Sequence, residues 1–393
     1  MTGRLRIVLA GGMAAMPYAG VVWQVLHHLE GLRRLGHDVF YLEDTERWPY
    51  DPVRDTVCED AGPAVGFLGD TFAAHGFDAD AWAYRDVAAG TVHGAGGRGV
   101  QRALARADVL INLSAVTALR EEHMTVPVRV YLETDPVLPQ IEVALGRERT
   151  LTLLDAHTHH VTYATNLGQA DCRVPIGPYR YRVTRPPVIL DWWQGPGRLA
   201  RRHSAARRFT TVGNWSQSGK DITYQGRRLT WSKSVEFARV MDLPGRAGPS
   251  VTLELALAIG DADARRRLQA AGWRVRSART VSRDAYAYRR YVRASAGEFS
   301  VAKEQNVALR SGWFSDRTAT YLAAGRPAVL QDTGFGRAVP CGAGLFAFTD
   351  VVDAASALRE ICDDYAAHSA AAVALARDYL RAEEVLAEML DGL

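Results

Sequence analysis

Residues 303–336 constrain the fold of this chain most, because they encode a helix followed directly by a buried strand (KEQNVALRSGWFSDRTATYLAAGRPAVLQDTGFG). Ser315 is expected to cap the helix, which Gly325 ends and Pro327 cannot continue. The apolar residues 328–330 then predict a strand. A helix that leads into a buried strand is typical of a parallel α/β sheet.

The start of this helix also predicts a ligand site. The first amides of a helix have no partner within it, and the helix dipole favours negative charge at that end. Phosphate-bearing ligands bind where such a helix start lies beside the carboxyl end of a strand. The segment therefore predicts a site for a nucleotide or a nucleotide sugar.

Length and composition indicate a soluble protein of two domains. The chain has 393 residues, 48% of them hydrophobic and 23% charged, which is too long for one ordinary core. A net charge of +3 gives no reason to expect nucleic acid or a membrane surface as a partner. The four cysteines lack a metal-like spacing, which predicts reduced thiols and a cytoplasmic location. No apolar run is long enough to span a membrane, and residues 5–10 are interpreted as a first strand rather than a signal peptide.

The rest of the chain alternates strands with helices. The first fifty residues predict a β-α-β unit, with strands at residues 5–10 and 39–42 around a helix at 21–35. Such alternation favours parallel sheets covered on both faces. Further strands are predicted at residues 109–113, 128–132, 161–163, 188–190, 209–212, 251–258, 273–275 and 299–302, and further helices at 261–271, 354–365 and 376–390.

Two doubly wound halves are expected. Residues 182–208 combine Pro-Pro, Trp-Trp and Gly-Pro-Gly sequences with a basic cluster, which is typical of a linker. The first domain is therefore assigned to residues 1–195 and the second to residues 205–375. Ligands bind such sheets beyond the carboxyl ends of their strands, which predicts a cleft between the domains.

Three segments together resemble the glycosyltransferases of the GT-B architecture, which have two facing Rossmann-like domains. They are GGMAAMPYAGVVWQVLHHLEGLRRLGHDVFYLED near the start, VYLETDP in the middle and SGWFSDRTATYLAAGRPAVLQDTGFG in the second half. Within that class the chain is similar to bacterial family-1-type enzymes of natural-product or surface-glycan pathways. The resemblance implies a nucleotide-diphosphate sugar as donor substrate in the second domain, an acceptor in the first, no other cofactor and no metal. It also implies that the last helix, within residues 376–393, packs back on the first domain.

The resemblance also assigns donor contacts. Ser315, Asp316 and Arg317 start the helix that approaches the diphosphate, although a helix cap and a surface arginine are the structural alternative. Thr320 stands where many relatives carry a glutamate that binds the ribose, which leaves Asp316 as a substitute. The other assigned positions are the cations Lys303 and Arg310 and the sugar-contacting loop residues Asp332, Thr333 and Gly334.

A general base is expected just after the strand at residues 128–132. Glu133 and Asp135 lie there, at the edge where α/β active sites form, and either could take the proton of an acceptor hydroxyl. A capped turn before Pro136 is the structural alternative. The third candidate for the base is His159.

The histidine candidate belongs to an alternating polar run. Asp155, His157 and His159 would share one face if they lay on a strand. Three such groups need a further ligand, and no second cluster accompanies them, so a metal site is not predicted.

The first glycines do not form a dinucleotide fingerprint. Gly11 and Gly12, followed by Met13, do not fit G-x-G-x-x-G. They are expected to let backbone or ligand approach the edge of the first strand. Met13 and Tyr18 would then line the acceptor side of the cleft with them.

Two other functions fit the same pattern. A nucleotide-sugar epimerase of this shape would need a base near the sugar ring but no acceptor cavity. A non-catalytic protein that binds a sugar nucleotide and accompanies another transferase is the second alternative, which the departure at Thr320 leaves open. The sugar, the nucleotide, the acceptor, the stereochemical outcome and the oligomeric state do not follow from the sequence.

Overall fold

The first half of the chain builds one open sheet. The computed structural model describes residues 3–51, 54, 56–195 and 207–393. Within them, the first sheet has the strand order β10-β9-β8-β7-β1-β2-β5-β6, and every neighbouring pair is parallel except β5 and β6. Its strands are β1 (Arg6–Ala10), β2 (Asp38–Glu43), β5 (Trp82–Asp86), β6 (Thr91–Gly94), β7 (Val109–Leu113), β8 (Val128–Glu133), β9 (His159–Thr162) and β10 (Tyr181–Val183), and β3 (Tyr50–Asp51) with β4 (Thr56–Val57) forms a separate pair.

The second half builds an all-parallel sheet of six strands in the order β15-β14-β11-β16-β17-β18. Counted within the half, this order is 3-2-1-4-5-6, which is that of Rossmann domains. Its strands are β11 (Arg207–Asn214), β14 (Val251–Ala258), β15 (Arg274–Ser277), β16 (Gly297–Ser300), β17 (Ala328–Gln331) and β18 (Leu345–Phe348), and β12 (Ile222–Tyr224) with β13 (Arg227–Leu229) forms a hairpin.

Helices connect the strands of both sheets. In the first half they are α1 (Ala19–Arg34), α2 (Gly62–Ala74), α3 (Gly96–Arg106), α4 (Glu121–Met124), α5 (Leu138–Ala144), α6 (Glu148–Asp155) and α7 (Leu190–Trp193). In the second half they are α8 (Ser234–Arg239), α9 (Leu243–Ala247), α10 (Ala262–Ala270), α11 (Ala278–Ser282), α12 (Ala285–Ala294), α13 (Glu304–Leu309), α14 (Asp316–Ala323), α15 (Val351–Asp363), α16 (Tyr365–Tyr379) and α17 (Ala382–Leu390).

The buried face of α1 explains why the first β-α-β unit forms. Val22, Val25, Leu26 and Leu29 recur at helical spacing and are buried against the sheet. Both strand orders reverse next to the first strand of the half, between β1 and β7 and between β11 and β16. Each reversal opens a crevice at the carboxyl ends of the strands, which is where α/β sheets bind ligands.

Most predicted elements are confirmed, and two are wrong. The strand predicted at residues 188–190 is absent, because Leu190 begins α7 and Val188 makes only an isolated bridge with Arg381. The helix predicted at 376–390 is interrupted between α16 and α17. Asp155, His157 and His159 do not share one strand, because Asp155 ends α6 and only His159 enters β9.

The last helix packs against the first half. Gly31 of α1 faces Leu386 and Ala382 of α17, and a Cβ at Gly31 would lie 3.0 Å from the Cβ of Ala382. The backbone of Val188 also bonds Leu380 at 2.8 Å and Ala382 at 3.0 Å. Part of the predicted linker, residues 196–206, lies outside the described residues. None of the helices among the described residues has the length and apolar character needed to cross a bilayer.

Candidate functional site between the two sheets

The carboxyl edges of the two sheets face each other. Trp313, before α14, donates its indole N–H to the backbone oxygen of Thr134 after β8, at 3.0 Å. Thr165 of the first half donates its hydroxyl to the backbone oxygen of Gly312 at 2.7 Å. Residues that follow β8 and β9 therefore touch residues that precede α14, and the crevices of the two halves meet.

The backbone is strained at this edge of the first sheet. Ser114 and Ala115, which follow β7, have φ angles of 58° and 51°. Val137, two residues after Asp135, has a φ of 92°, where a β-branched side chain is a genuine outlier. Strain of this kind persists where the surroundings enforce it, and it clusters at functional sites.

The predicted cap of α14 is confirmed. The Ser315 hydroxyl accepts the N–H of Arg317 at 3.3 Å. The next residue, Asp316, turns toward the first half, where Gln24 of α1 donates to its carboxylate at 2.9 Å. Burial raises the pKa of Asp316 to about 7, although the bond from Gln24 opposes that shift. The helix start therefore contacts the opposite domain directly.

A hydrogen-bond chain continues from this contact. The Ser114 hydroxyl donates to the side-chain oxygen of Gln24 at 3.3 Å and lies 2.6 Å from the Thr134 hydroxyl. Asp316, Gln24, Ser114 and Thr134 thus form one network that joins α14 to α1 and to the ends of β7 and β8.

Arg317 is turned inward at the reversal point of the second sheet. Its guanidinium donates to the Glu298 carboxylate at 2.5 Å, to the Val212 backbone oxygen at 2.8 Å and to the Ser300 hydroxyl at 2.8 Å. Val212 lies on β11, whereas Glu298 and Ser300 lie on β16. Arg317 therefore fastens the two strands that flank the crevice, and its direct contact with a diphosphate stays a prediction.

Lys303, after β16, reaches across to the first half. Its ammonium forms an ion pair with the Asp135 carboxylate and lies 3.6 Å from the centre of the Trp231 ring. Burial lowers the pKa of Lys303, and Asp135 opposes that shift. The structure thus joins a predicted donor cation to a predicted base.

A second buried lysine lies beside this pair. Lys233 is 8% exposed, its ammonium lies 3.4 Å from the Ser300 hydroxyl, and burial lowers its pKa well below the ordinary value. The repulsion of Arg317 lowers that pKa further. Two neighbouring carboxylates, Glu298 and Asp135, oppose the charges of Lys233, Lys303 and Arg317.

The space at this cluster is small. Ser300, Trp313, Ser315, Arg317 and Gln331 are among the residues that enclose a cavity of about 20 Å³, which is near the size needed for one water molecule. The residues that line it all belong to the second half, and the space beside Arg317 is too small for a diphosphate.

The carboxylate of Glu133, the other predicted base, accepts three hydrogen bonds. Gln140 and Thr162 both donate to its carboxylate at 2.6 Å, and Tyr131 donates at 3.4 Å. Burial raises its pKa to about 7. Glu133 is 3% exposed, whereas the side chain of Asp135 is 39% exposed, so Asp135 is the more accessible carboxylate.

His159 is not brought to this cleft. It is the first residue of β9, at the amino end of the strand, and its ring lies 2.9 Å from the Thr158 hydroxyl. Its neighbour His157 is buried, and its ring nitrogens contact the Leu153 backbone oxygen and the Asn112 side chain. The opposite edge of the sheet, where Asp135 lies, carries the cleft.

Other predicted donor residues form a second interdomain contact. Arg310 donates to Asp332 at 2.9 Å and to Asp171 of the first half at 3.0 Å. Thr333 donates to the Trp313 backbone oxygen at 2.8 Å. Gly334 has a φ of 94°, and a Cβ there would lie 2.7 Å from the side chain of Asn166.

Thr320 faces the interior of the second half. It is 2% exposed, and its hydroxyl donates to the Arg317 backbone oxygen at 2.6 Å. A hydroxyl placed in this way stabilises the first turn of α14, and its predicted place at the ribose stays a prediction.

The predicted acceptor residues divide into a buried and an exposed group. A Cβ on Gly11 would lie 2.8 Å from the Tyr41 ring, so this glycine permits close packing. At Gly12 the nearest side chain would be Thr45 at 3.4 Å, an ordinary contact. Met13 is completely buried and donates its N–H to the Tyr41 hydroxyl at 3.1 Å. Tyr18, in contrast, is 40% exposed.

One titratable cluster was not predicted. Asp44, Glu122 and His123 each offer a ligand atom within reach of one ion. The guanidinium of Arg120 already forms ion pairs with Asp44 and Glu122, and the backbone N–H of Arg120 donates to Nδ1 of His123 at 3.0 Å. These carboxylates are therefore engaged by a guanidinium.

The sequence analysis missed Lys233 and Gln24. Lysine is rarely buried, so its type alone predicted a surface position for Lys233. Gln24 lies on the helix face next to the buried stripe, and only the packing of the second half reveals its partner. The ammonium of Lys233 lies 5.9 Å from the centre of the Trp313 ring, a contact that the local sequence around Lys233 does not show.

Comparison with known proteins finds likeness in structure. No family model matches the chain, and no curated protein matches it. The Anabaena protein Alr3699/HepE, solved with UDP and glucose, covers 99% of this chain and 100% of its own with 13% identity and a TM-score of 0.56. Sucrose-phosphate synthase from Thermosynechococcus elongatus covers 99% and 98% with 11% identity and a TM-score of 0.54. AviGT4, a glycosyltransferase involved in avilamycin A biosynthesis, covers 99% and 96% with 13% identity and a TM-score of 0.52.

These likenesses extend over both halves of the chain. Together with the two Rossmann-like sheets whose carboxyl edges face each other, they establish the GT-B fold that the sequence predicted.

Proposed function

We propose that this protein is a glycosyltransferase that moves a sugar from a nucleotide-diphosphate sugar to a hydroxyl or amine acceptor. The observation that carries the proposal is the buried cluster of Lys233, Lys303 and Arg317 at the reversal point of the second sheet. Burial and the charge of Arg317 lower the pKa of Lys233, so its charged form is costly there unless a further anion joins it. A diphosphate supplies that anion.

The fold supports the same conclusion. HepE, which has this fold, was solved with UDP and with UDP-glucose. The buried cations of this chain lie at the crevice where such sheets bind ligands. We extend the proposal to a hexosyl donor, a reaction without a metal ion and a cytoplasmic setting.

The chemistry follows from the charges. The bond between the sugar C1 and the phosphate oxygen breaks, and its electron pair stays on the diphosphate, where Lys233 and Lys303 stabilise the new charge. A bond forms between C1 and the acceptor oxygen or nitrogen. The acceptor proton passes to a carboxylate, for which Asp135 is the best placed candidate because it lies beside Lys303 and is accessible.

Donor binding requires the halves to separate. The cavity beside Arg317 holds about 20 Å³, and the Lys303–Asp135 and Asp316–Gln24 contacts hold the two halves together nearby. We infer that the donor enters an open form and that closure then excludes water, which would otherwise hydrolyse the donor.

Substrate assays separate the alternatives. Incubation of the protein with UDP-glucose alone would yield an isomerised sugar nucleotide from an epimerase and no free UDP. A non-catalytic binder would bind the donor but would not turn it over with any acceptor. The cavities described below, at the first half, favour transfer over epimerisation because an epimerase needs no acceptor space.

The central experiment measures nucleotide binding. UDP, dTDP and GDP are titrated by calorimetry into the unaltered protein, Lys233→Met and the control Lys220→Met. The expected result is binding of one nucleotide, which Lys233→Met weakens by about 10-fold or more, since a charge-assisted contact is worth about 1.5–3 kcal/mol. Lys220 lies near Trp231 rather than at Ser300, so its loss is expected to have a smaller effect. Equal binding by all three proteins would contradict the proposal.

A further inference from the structure

Two cavities at the first sheet's carboxyl edge are not used by the donor cluster. The first, here called the aromatic cavity, has a volume of about 550 Å³ and is lined by Met16, Tyr18, Trp48, Tyr50, Val57 and Glu46, among others. The second, here called the charged cavity, has about 470 Å³ and shares Glu46. Both volumes are within the range of small-molecule sites.

The aromatic cavity exposes an unusual amount of apolar surface. Trp48 is 50% exposed, Val57 is 56% exposed, and both line the same wall as Tyr18. The rings of Tyr18 and Tyr50 lie 5.3 Å apart at 34° and form one platform. Grouped exposure of large apolar side chains marks a binding surface, whereas single exposed residues do not.

The two cavities meet at a strained residue. Glu46 has a φ of 54°, which non-glycine residues rarely adopt. Arg120, which lines the charged cavity, holds the Glu46 carboxylate at 2.9 Å. The strained backbone thus places an acidic side chain between the aromatic and the charged cavities, at a position where function commonly maintains strain.

The charged cavity contains an unused hydrogen-bond acceptor. Asp44 is completely buried, and its Oδ1 atom has no partner among the described residues, although Oδ2 pairs with Arg120. An unpaired buried carboxylate oxygen is costly. Asp44 lines this cavity, so the hydroxyl of a ligand that displaces the surrounding side chains would satisfy Oδ1.

The aromatic cavity lies close to the interdomain contact. Tyr18 directly precedes α1, and Gln24 on the same helix reaches Asp316 of the second half. Six residues of α-helix span about 9 Å. A ligand on the tyrosine platform is therefore within the length of a small aromatic molecule from the opposite domain.

From these observations we infer that the acceptor is an aromatic compound bearing hydroxyl groups. Its ring stacks on Tyr18 and Trp48, and its polar end points past Glu46 toward Asp44. The cavity walls are mainly aromatic and aliphatic, which suits a planar apolar ring better than an oligosaccharide that needs many polar partners. The role of this ligand as an acceptor rests on the proposed transfer reaction. Its chemical class rests on the cavity alone.

The test measures binding of 1-naphthol and of maltose by calorimetry, in the absence of nucleotide. The proteins are the unaltered chain, Trp48→Ala, Trp48→Phe and the control Val352→Ala, which removes an equally exposed apolar side chain of the second half. The expected result is that 1-naphthol binds and maltose does not, that Trp48→Ala weakens 1-naphthol binding at least 10-fold, and that Trp48→Phe and Val352→Ala change it less than 3-fold.

Two results would overturn the inference: preferential binding of maltose, or 1-naphthol binding that is equal in Trp48→Ala and the unaltered protein. UDP titrations of the same variants keep this test separate from that of the proposed function. An unaltered protein that binds UDP but does not bind 1-naphthol refutes the aromatic acceptor alone. Intact 1-naphthol binding in a protein that binds no nucleotide supports the cavity assignment and refutes the transferase.

Discussion

The ammonium of Lys303 in the second half pairs with the carboxylate of Asp135 in the first, so that a proposed donor cation and the proposed base neutralise each other when no substrate is bound. A diphosphate at Lys303 would have to replace Asp135. The pair therefore holds the cleft closed, and its opening would release both groups for the reaction at the same time.

Replacement of Asp135 by Asn should tighten nucleotide binding while it reduces turnover. The amide cannot compete with the diphosphate for Lys303, so the Kd for UDP is expected to fall roughly 2- to 5-fold, in keeping with a partly exposed ion pair. Turnover should fall because the amide cannot accept a proton. Calorimetry and steady-state kinetics measure the two effects, with the surface pair variant Asp108→Asn as the control. Weaker UDP binding by Asp135→Asn would argue against this role of the pair.

Nucleotide binding should be accompanied by proton uptake at a pH between the pKa values that Lys233 has in the free and in the nucleotide-bound protein. Burial lowers the pKa of Lys233 well below its ordinary value, and a bound diphosphate would raise that pKa again. The binding enthalpy of UDP should then vary with the ionisation enthalpy of the buffer. Lys233→Met should abolish a large part of this variation. A binding enthalpy that is the same in phosphate and Tris buffers would exclude the proton linkage.

Arg317→Ala should destabilise the second half. It leaves the Glu298 carboxylate, which is completely buried, without its guanidinium partner. Breaking a buried ion pair on one side costs about 3–5 kcal/mol. The double variant Glu298→Gln, Arg317→Met should recover much of this loss, because it removes both charges. Urea unfolding of the three proteins provides the comparison, and a double variant no more stable than Arg317→Ala would contradict the explanation.

Gly312→Ala should weaken the contact between the halves. Gly312 has a φ of 79°, and a Cβ there would lie 2.7 Å from the Thr165 hydroxyl of the first half. Gly219 offers a matched control, because its φ is 81° and a Cβ there meets nothing within 4 Å. Both variants incur the backbone cost of about 1 kcal/mol, but only Gly312→Ala should also enlarge the radius of gyration. Small-angle scattering measures that radius, and equal values for both variants would refute the prediction.

Stability should fall between about pH 5 and pH 7. Burial raises the pKa of Glu43, Glu133 and Asp316 to about 7. In this range the folded state binds more protons than the unfolded state, so a rise in pH favours unfolding. One such carboxyl contributes on the order of 3 kcal/mol. Glu133→Gln should reduce the difference in unfolding free energy between pH 5 and pH 8, and an unchanged difference in urea unfolding would contradict this assignment.

The architecture could be predicted from the sequence because its signals are local. Hydrophobic periodicity marks the helices and strands, and glycine and proline mark where they end. The cap at Ser315 and the strand at residues 109–113 are examples. The break between α16 and α17 was missed because residues 376–390 keep an apolar stripe through it, and the break depends on the contact between Leu380 and Val188.

The site was harder to predict, because it depends on which side chains meet across the two halves. Lys303 and Asp135 are 168 residues apart, and nothing local to either shows that they pair. Arg317 was predicted at the correct helix start, but its direction was set by the buried carboxylate of Glu298. Side-chain direction at a helix start depends on partners that periodicity does not encode.

The backbone bonds of Val188 with Leu380 and Ala382 tie the segment before α7 to the segment between α16 and α17. A single tether would let the two lobes twist and swing in every direction. Two segments that are bonded side by side near the boundary between the halves would instead restrict the motion to rotation about one axis. Opening would then be a swing along a fixed path, which returns the lobes to the same register each time they close.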